Sequence, residues 1–472
     1  MIFSSPFFLF AFLPIVIVFY YLMPPRAKNT FLLLASLVFY AWGEPFYVAL
    51  LVASIIGNYL FGRSLDLVQT RTGRRVVVML AVAANITFLG YFKYFNFALE
   101  NLFFANELTG RLIDKAPHHL PLGISFFTFQ ALSYVIDVYR RTSPAQNNPF
   151  SLALFISSFP QMIAGPIIRY SDVQQQIEHR LHNAPLFFSG VRRFVFGLAK
   201  KVLIADVLGM TADTIFASDP ASLTAGAVWF GIICFGLQIY FDFSAYSDMA
   251  IGLGRMFGFR FKENFNYPFI ARSVTEFWDR WHISLGSWFR DYLYIPLGGN
   301  RGGVVRTYIN LWTVFILCGL WHGASWNFVI WGGLYGFFLV IERIGLGRLL
   351  QKAWVPLQHI YLILVYLLTL VFFRVAEFSD ATMLLSIMLG LGEQGSLPWS
   401  EFYSRGAAIT LLLGMVLSVP IYPWVCTKMV PVLRYHSLRH WLCQSIMIFG
   451  LFLITIMGIA TNAYSPFIYF RF

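Results

Sequence analysis

Charge is what this chain has least of. Only 12% of its 472 residues are Asp, Glu, Lys or Arg, about half the usual quarter of a globular protein. With 58% hydrophobic residues, it cannot give two or three soluble domains a solvated surface, although its length alone would suggest that many. Cysteine is scarce as well. Cys234, Cys318, Cys426 and Cys443 lie within or beside apolar segments and form no C-x-x-C, so they read as buried, inert thiols in preference to disulfides or a thiol nucleophile. No internal repeat is visible, which counts against a secondary transporter built from matching halves. Long polar stretches are missing too: the largest, at 106–119, 171–184 and 393–404, leave room only for loops or short surface helices.

What remains is apolar. Segments near 7–22, 31–41, 47–61, 76–99, 122–138, 152–168, 187–208, 223–240, 245–259, 311–331, 360–373, 383–391, 409–425 and 441–460 recur along the chain. Some are too short or too polar to cross a bilayer alone, so the expectation is an all-α, polytopic membrane protein with about 11 transmembrane helices plus re-entrant or interfacial pieces. The first apolar run has no basic residue before it and ends in Pro24-Pro25-Arg26 without a small-residue cleavage site. It is expected to be a first spanning helix in preference to a removed signal. The net charge of +12 comes from short basic connectors, among them Arg63 with Arg71, Arg74 and Arg75, and Arg343 with Arg348 and Lys352. Such loops mark the cytoplasmic face and meet anionic membrane lipid, so no nucleic-acid binding is expected.

Between 240 and 331 the composition changes. Polar residues stand in apolar surroundings at a density that lipid tolerates only where they face a cavity. Tyr240-Phe-Asp-Phe-Ser-Ala-Tyr-Ser-Asp248 puts Asp242 one helical turn from Tyr246, and Ser244 one turn from Asp248. This ladder is either a structural seam between helices or part of the chemistry. In the stretch 275–292, Phe277, Trp281, Leu285, Trp288 and Tyr292 recur at three- and four-residue spacing, which predicts one amphipathic helix at the membrane interface with His282 at the edge of its apolar stripe. Thr275 and Glu276 suit its first turn.

Pro296-Leu-Gly-Gly-Asn-Arg-Gly-Gly303 is either a tight connector or a phosphate cradle around Arg301. Farther on, Gly319, Gly323 and Ser325 surround Trp321-His322 inside an apolar run. They invite a helix break there, and an intramembrane histidine is a functional candidate by default. His179-x-x-His182 and His436-x3-His440 have metal-like spacing but lack a completing ligand cluster, so no metal is expected.

These words, in this order and at these intervals, resemble the membrane-bound O-acyltransferase family, in its bacterial polysaccharide branch. The opening Met1-Ile-Phe-Ser-Ser5, the 240–254 block, 276–294, 297–303 and 319–323 carry the resemblance, and the two histidine-centred words are its specific part. It spans 1–472 as a single transmembrane domain, with 240–331 as the catalytic core segment. The resemblance implies a ring of helices around a central funnel and an acetyl transfer from acetyl-CoA. His322 matches the family's catalytic histidine, and His282 matches its second polar position. For the donor, Arg301, Trp281 and Trp321 are the expected contacts. The implied partners are a periplasmic subunit of the SGNH-hydrolase type and an exopolysaccharide synthesis and export complex. The tail 466–472 resembles a terminal Phe-x-Tyr motif, in which Tyr469 would be either an acetyl carrier or an interfacial anchor. Ala245 and Arg471 depart from the residues more usual at those positions, without touching the expected chemistry.

Overall fold

A computed structural model of the chain describes residues 1–102, 120–163, 165–421, 423–425 and 438–461. Among these residues the regular structure is helical, apart from one isolated bridge between Leu223 and Leu397. That is what apolar surroundings demand, because a helix satisfies its backbone hydrogen bonds within one segment. Seven described helices are long and apolar enough to cross a bilayer, and three shorter ones, Phe8–Leu22, Phe378–Met388 and Arg405–Leu417, are apolar. The protein is a multi-pass membrane protein.

Among the described residues the count of about eleven is not confirmed, and particular segments depart from the apolar runs of the sequence. The runs near 223–240 and 245–259 are one continuous helix, Ala225–Met256. The run near 152–168 is instead two short helices, Pro149–Ser157 and Phe159–Met162, with Pro160 opening the second. Proline is tolerated in a first turn and not in a helix interior.

The chain packs as two units, Met1–Val191 with Ala250–Lys262, and Arg192–Met249 with Glu263–Phe472. In the first, Phe8, Phe12, Phe39 and Phe159 form an aromatic cluster. Val48–Leu67 and Arg71–Leu102 are joined there by reciprocal amide hydrogen bonds between buried Asn58 and Asn85. His182 of the first metal-like spacing meets the Tyr20 hydroxyl at 2.8 Å.

The second unit holds the polar words. α1 (Ala184–Ala199), which begins before this unit, runs through a π-helical turn, Lys200–Ala205, into α2 (Asp206–Phe216). α3 (Ala225–Met256) is the most enclosed spanning helix, 72% buried against 6% for Leu442–Thr461. Gly197 lets α1 approach α3, since a Cβ there would stand 2.7 Å from the Ala245 carbonyl oxygen. The π-helical turn places successive lysines against α3. Lys201 lies 2.7 Å from Asp242 and 2.6 Å from Asp206, and Lys200 lies 2.7 Å from Asp248. Arg193 pairs with Asp248 at 2.7 Å and also with Glu263. The Asp242–Asp248 ladder is thus cross-linked to cations from the preceding helix, which is how charge survives at low dielectric.

Candidate active site

Four helices assemble around the two Trp-His words: α4 (Val274–Arg280), α5 (Ile283–Phe289), α6 (Gly303–His322) and α7 (Trp326–Ile341). α8 (Val355–Arg374) closes one side. The single amphipathic helix expected over 275–292 is broken. α4 ends at Arg280, Trp281 is extended, and His282 takes the left-handed conformation (φ 46°, ψ 51°) before α5 begins. That conformation is uncommon outside glycine and marks a backbone held by its surroundings. The holding contacts are backbone bonds to the preceding loop: Asn266 N–H donates to Arg280 O at 2.9 Å, and Ile283 N–H to Asn264 O at 2.9 Å. The apolar stripe survives the break, because Phe277, Trp281, Leu285, Trp288 and Tyr292 are all buried.

The cap of α4 is Ser273, whose side chain accepts from Glu276 N–H at 3.1 Å, while Glu276 accepts from Arg272 N–H at 2.9 Å. Buried Glu342 takes the other free amides: Val274 N–H at 2.7 Å and Thr275 N–H at 3.0 Å, with the Thr275 hydroxyl at 2.6 Å. A carboxylate at a helix N-terminus is favoured by the dipole. The first turn is therefore fixed by a residue 67 positions away from Thr275.

α6 ends on His322, Gly323 is extended, and α7 starts at Trp326, so the expected break becomes a helix-turn-helix hairpin. Two glycines explain how closely its arms pack. A Cβ on Gly319 would stand 2.1 Å from Phe328 O, and one on Gly332 would stand 2.2 Å from Phe315 O. Only glycine admits backbone this near.

His322 is 4% exposed. Its ring sits edge-on to Trp331 (5.1 Å between centroids), Phe373 (5.4 Å) and Trp321 (5.0 Å). With Trp278, Trp281, Trp331, Tyr335 and Tyr366 it lines an enclosed cavity of about 20 Å³, room for a single water-sized group. The indole Nε1–H groups of Trp278 and Trp331 are buried with no hydrogen-bond partner among the described residues. Two unspent donors beside a buried imidazole are an arrangement that can stabilise a developing negative charge.

His282 is 1% exposed and lies against Phe243 at 4.6 Å and Trp321 at 6.1 Å. Trp321 therefore stands between the two histidines. Burial, and then the proximity of His322, hold the His282 ring well below the usual histidine range. It is a neutral imidazole at physiological pH.

A second, open cavity of about 550 Å³ is lined by Phe269, Ile270, Arg272, Glu276, Arg280, His359 and Val419. Phe269 links the two spaces: its ring packs on Phe277 and Tyr366, which also line the inner cavity.

The structure brings together His322, His282, Trp281 and Trp321. It does not bring Arg301 to them. Arg301 sits in the turn before α6, at the opposite end of a 20-residue helix from His322, a separation of about 30 Å. The glycine-rich turn is a tight connector. Gly298, Gly299 and Arg301 N–H groups are spent on carbonyls within the turn, at Ile295, Tyr294 and Gly298. Asn300 accepts from Tyr294 and Arg343 at 2.5 and 3.0 Å. Tyr469, Cys426 and His436 lie outside the described residues. Sequence reasoning missed Lys201, Glu342 and Asn264. Each acts across a long separation in the chain, and none stands in a distinctive word.

Comparison with known proteins agrees with this geometry. Residues 140–373 match the model of the MBOAT, membrane-bound O-acyltransferase, family. The probable alginate O-acetylase AlgI of Azotobacter vinelandii is 44% identical over 425 residues, covering 89% of this chain and 84% of the relative. This chain belongs to the membrane-bound O-acyltransferase family. As an O-acyltransferase it has a further relative in Pseudomonas putida, also a probable alginate O-acetylase AlgI, 40% identical over 489 residues and 100% of both chains. The peptidoglycan O-acetyltransferase of Helicobacter pylori is 38% identical over 432 residues, covering 83% of this chain and 80% of the relative. The family's matched region contains both histidines and all four helices around them.

Proposed function

We propose that this O-acyltransferase moves acetyl groups from cytoplasmic acetyl-CoA across the inner membrane for O-acetylation of an exported polysaccharide of the alginate type. The observation that carries the reading is His322, a buried imidazole in an aromatic cavity with two unspent indole donors. The relatives named for alginate O-acetylation support the polymer. A second reading, peptidoglycan as the final acceptor, is favoured by the Helicobacter relative.

In the proposed reaction His322 removes the proton from an attacking hydroxyl, and the oxygen forms a bond to the acetyl carbon. The thioester C–S bond breaks, and the proton passes from His322 to the departing thiolate, releasing CoA. The charge that develops on the carbonyl oxygen falls to donors beside the histidines, a role supported by the unspent indole N–H groups of Trp278 and Trp331. General-base catalysis of this kind contributes about 10²–10⁴-fold. The donor's phosphates suit the open cavity lined by Arg272 and Arg280, with Arg301 on the more distant basic turn. The first acceptor is the Tyr469 hydroxyl or that of a periplasmic SGNH-type partner, which completes transfer to the polymer within an export complex. A phenol with an ordinary pKa of about 10 needs such a base at neutral pH.

The test is release of CoA from labelled acetyl-CoA by the purified, reconstituted protein. His322→Ala is expected to lower it by about 10²-fold or more, and undiminished release by that variant sinks the assignment. Tyr469→Phe separates carrier from anchor: a carrier loses transfer, whereas an anchor keeps it. Assay of alginate and peptidoglycan acetylation in a deletion strain decides the polymer.

A further inference from the structure

Asn264 and His282 form a buried unit whose contacts favour one assignment of hydrogens. Asn264 Oδ1 lies 3.1 Å from the backbone N–H of Ser284, 2.8 Å from the Ser284 hydroxyl and 3.1 Å from His282 Nδ1. Amide oxygen and nitrogen are often interchangeable on geometry alone, but a backbone N–H can only donate. The atom facing Ser284 N must therefore be the oxygen. On its other side, the Asn264 Nδ2 donates one of its two N–H groups to Ser247 Oγ on α3 at 3.0 Å, as an amide nitrogen and not an oxygen would. An amide oxygen carries no hydrogen, so a bare Nδ1 would set two lone pairs 3.1 Å apart. The Ser284 hydroxyl, 2.8 Å from that oxygen but 3.5 Å from Nδ1, is better placed to donate to the oxygen. The contacts favour a hydrogen on Nδ1. On that assignment His282 is Nδ1–H, and Nε2 keeps its lone pair. That Nε2 is buried and has no hydrogen-bond partner among the described residues. Asn264, Ser247 and His282 are each 2% exposed or less, so bulk water does not compete for the arrangement.

We infer that Asn264 is a positioning residue which locks His282 as the Nδ1–H tautomer, so that His282 serves acyl transfer as a hydrogen-bond or proton acceptor at Nε2. The role rests on the proposed acetyl transfer; the tautomer does not. A neutral ring with a bare Nε2 has no hydrogen there to give to an oxyanion. It can orient the attacking hydroxyl or share its proton with His322. The left-handed backbone at His282 belongs to the same device. It turns the chain so that Ser284 N–H and the imidazole reach one oxygen together.

The experiment measures the tautomer directly, by ¹⁵N NMR of ¹⁵N-histidine-labelled, reconstituted full-length protein, with the His282 signal assigned by its loss in His282→Gln. The expected wild-type result is a protonated Nδ1 and a bare Nε2 at neutral pH. A protonated Nε2, or a doubly protonated ring, overturns the inference. Asn264→Leu is expected to mix the tautomers and lower kcat at least tenfold with KM little changed. Asn264→Asp keeps an acceptor in place and is expected to restore the Nδ1–H signature. A single Nδ1–H tautomer in Asn264→Leu overturns the positioning role. The NMR readout is independent of turnover, so failure of His322 as the base would appear in His322→Ala activity while leaving the His282 signature unchanged. In proteases that use a histidine base, the wrong tautomer costs about 10⁴-fold, so the tenfold threshold is a low bar.

Discussion

At the scale of single residues, cost in free energy separates what the sequence discloses from what it hides. Trp281-His282 and Trp321-His322 are legible because a polar ring in an apolar run is expensive, and the fold brings both words around Trp321. Asn264 is hidden: an asparagine in a loop is ordinary, and its role depends on a fold that returns it to residues 282 and 284. Lys201 is equally hidden, although its removal should be costly. Lys201→Met would leave Asp206 and Asp242 without the cation that lies 2.6 and 2.7 Å from them, which predicts a loss of about 3–5 kcal/mol. Thermal unfolding in detergent checks this, and adding Asp242→Asn to that variant should recover part of the loss. The depressed His282 titration also has a signed consequence. As pH falls through about 6.5, the ordinary histidine value, the unfolded chain takes a proton that the folded ring refuses. This group's contribution to stability is therefore complete above that pH, and declines below it until the folded ring itself protonates. The acid limb that it gives to transfer should lie below 6.5 as well. A limb above 6.5 shared by wild type and His322→Ala would contradict the neutral, buried ring.

At the scale of elements, hydrophobic periodicity found the right buried face of 275–292 but the wrong continuity. Period alone cannot register that Asn264 and Asn266 clamp the chain at Arg280 and Ile283, so two helices of seven residues replace one long helix. The α6–α7 hairpin was more legible, because glycines flanking a histidine announce a break. What they did not announce is their second use as a contact surface between the arms. Gly319→Ala and Gly332→Ala should push the arms apart, since the added methyl would meet backbone carbonyl oxygen at 2.1 and 2.2 Å. Displacement of a catalytic group by as little as about 1 Å can cost 10²-fold, so transfer is expected to fall by about that factor in both variants. Gly333→Ala is the control: nothing lies within 4 Å of its Cβ position, and both activity and melting temperature should stay near wild type. Equal behaviour of Gly332→Ala and Gly333→Ala would remove close hairpin packing as the cause.

At the scale of the whole molecule, composition fixes the membrane class, while the number of crossings depends on where helices fuse or stop, which composition does not encode. Orientation can still be argued. Arg343 reaches Asn300 at 3.0 Å, so the turn before α6 and the connector after α7 lie at the same end of the hairpin. Both are basic, with Arg301 in the turn and Arg306 in the first turn of α6 on one side and Arg343, Arg348 and Lys352 on the other. The positive-inside rule predicts that this end faces the cytoplasm. α6 has 20 residues and a length of about 30 Å, matching the hydrocarbon core, so Ala324 in the hairpin turn should emerge on the opposite face. Asn300→Cys and Ala324→Cys, each in a cysteine-free background, test this with a membrane-impermeant maleimide on permeabilised-outer-membrane cells. Position 324 should label from outside, and position 300 only after the inner membrane is opened. The consequence for the proposed reaction is mechanistic: with His322 near the far end of α6, a cytoplasmic acetyl donor would have to deliver its acetyl group most of the way across the membrane before transfer. Labelling in the reverse sense would place His322 near the cytoplasmic face and take the crossing out of the enzyme's own chemistry.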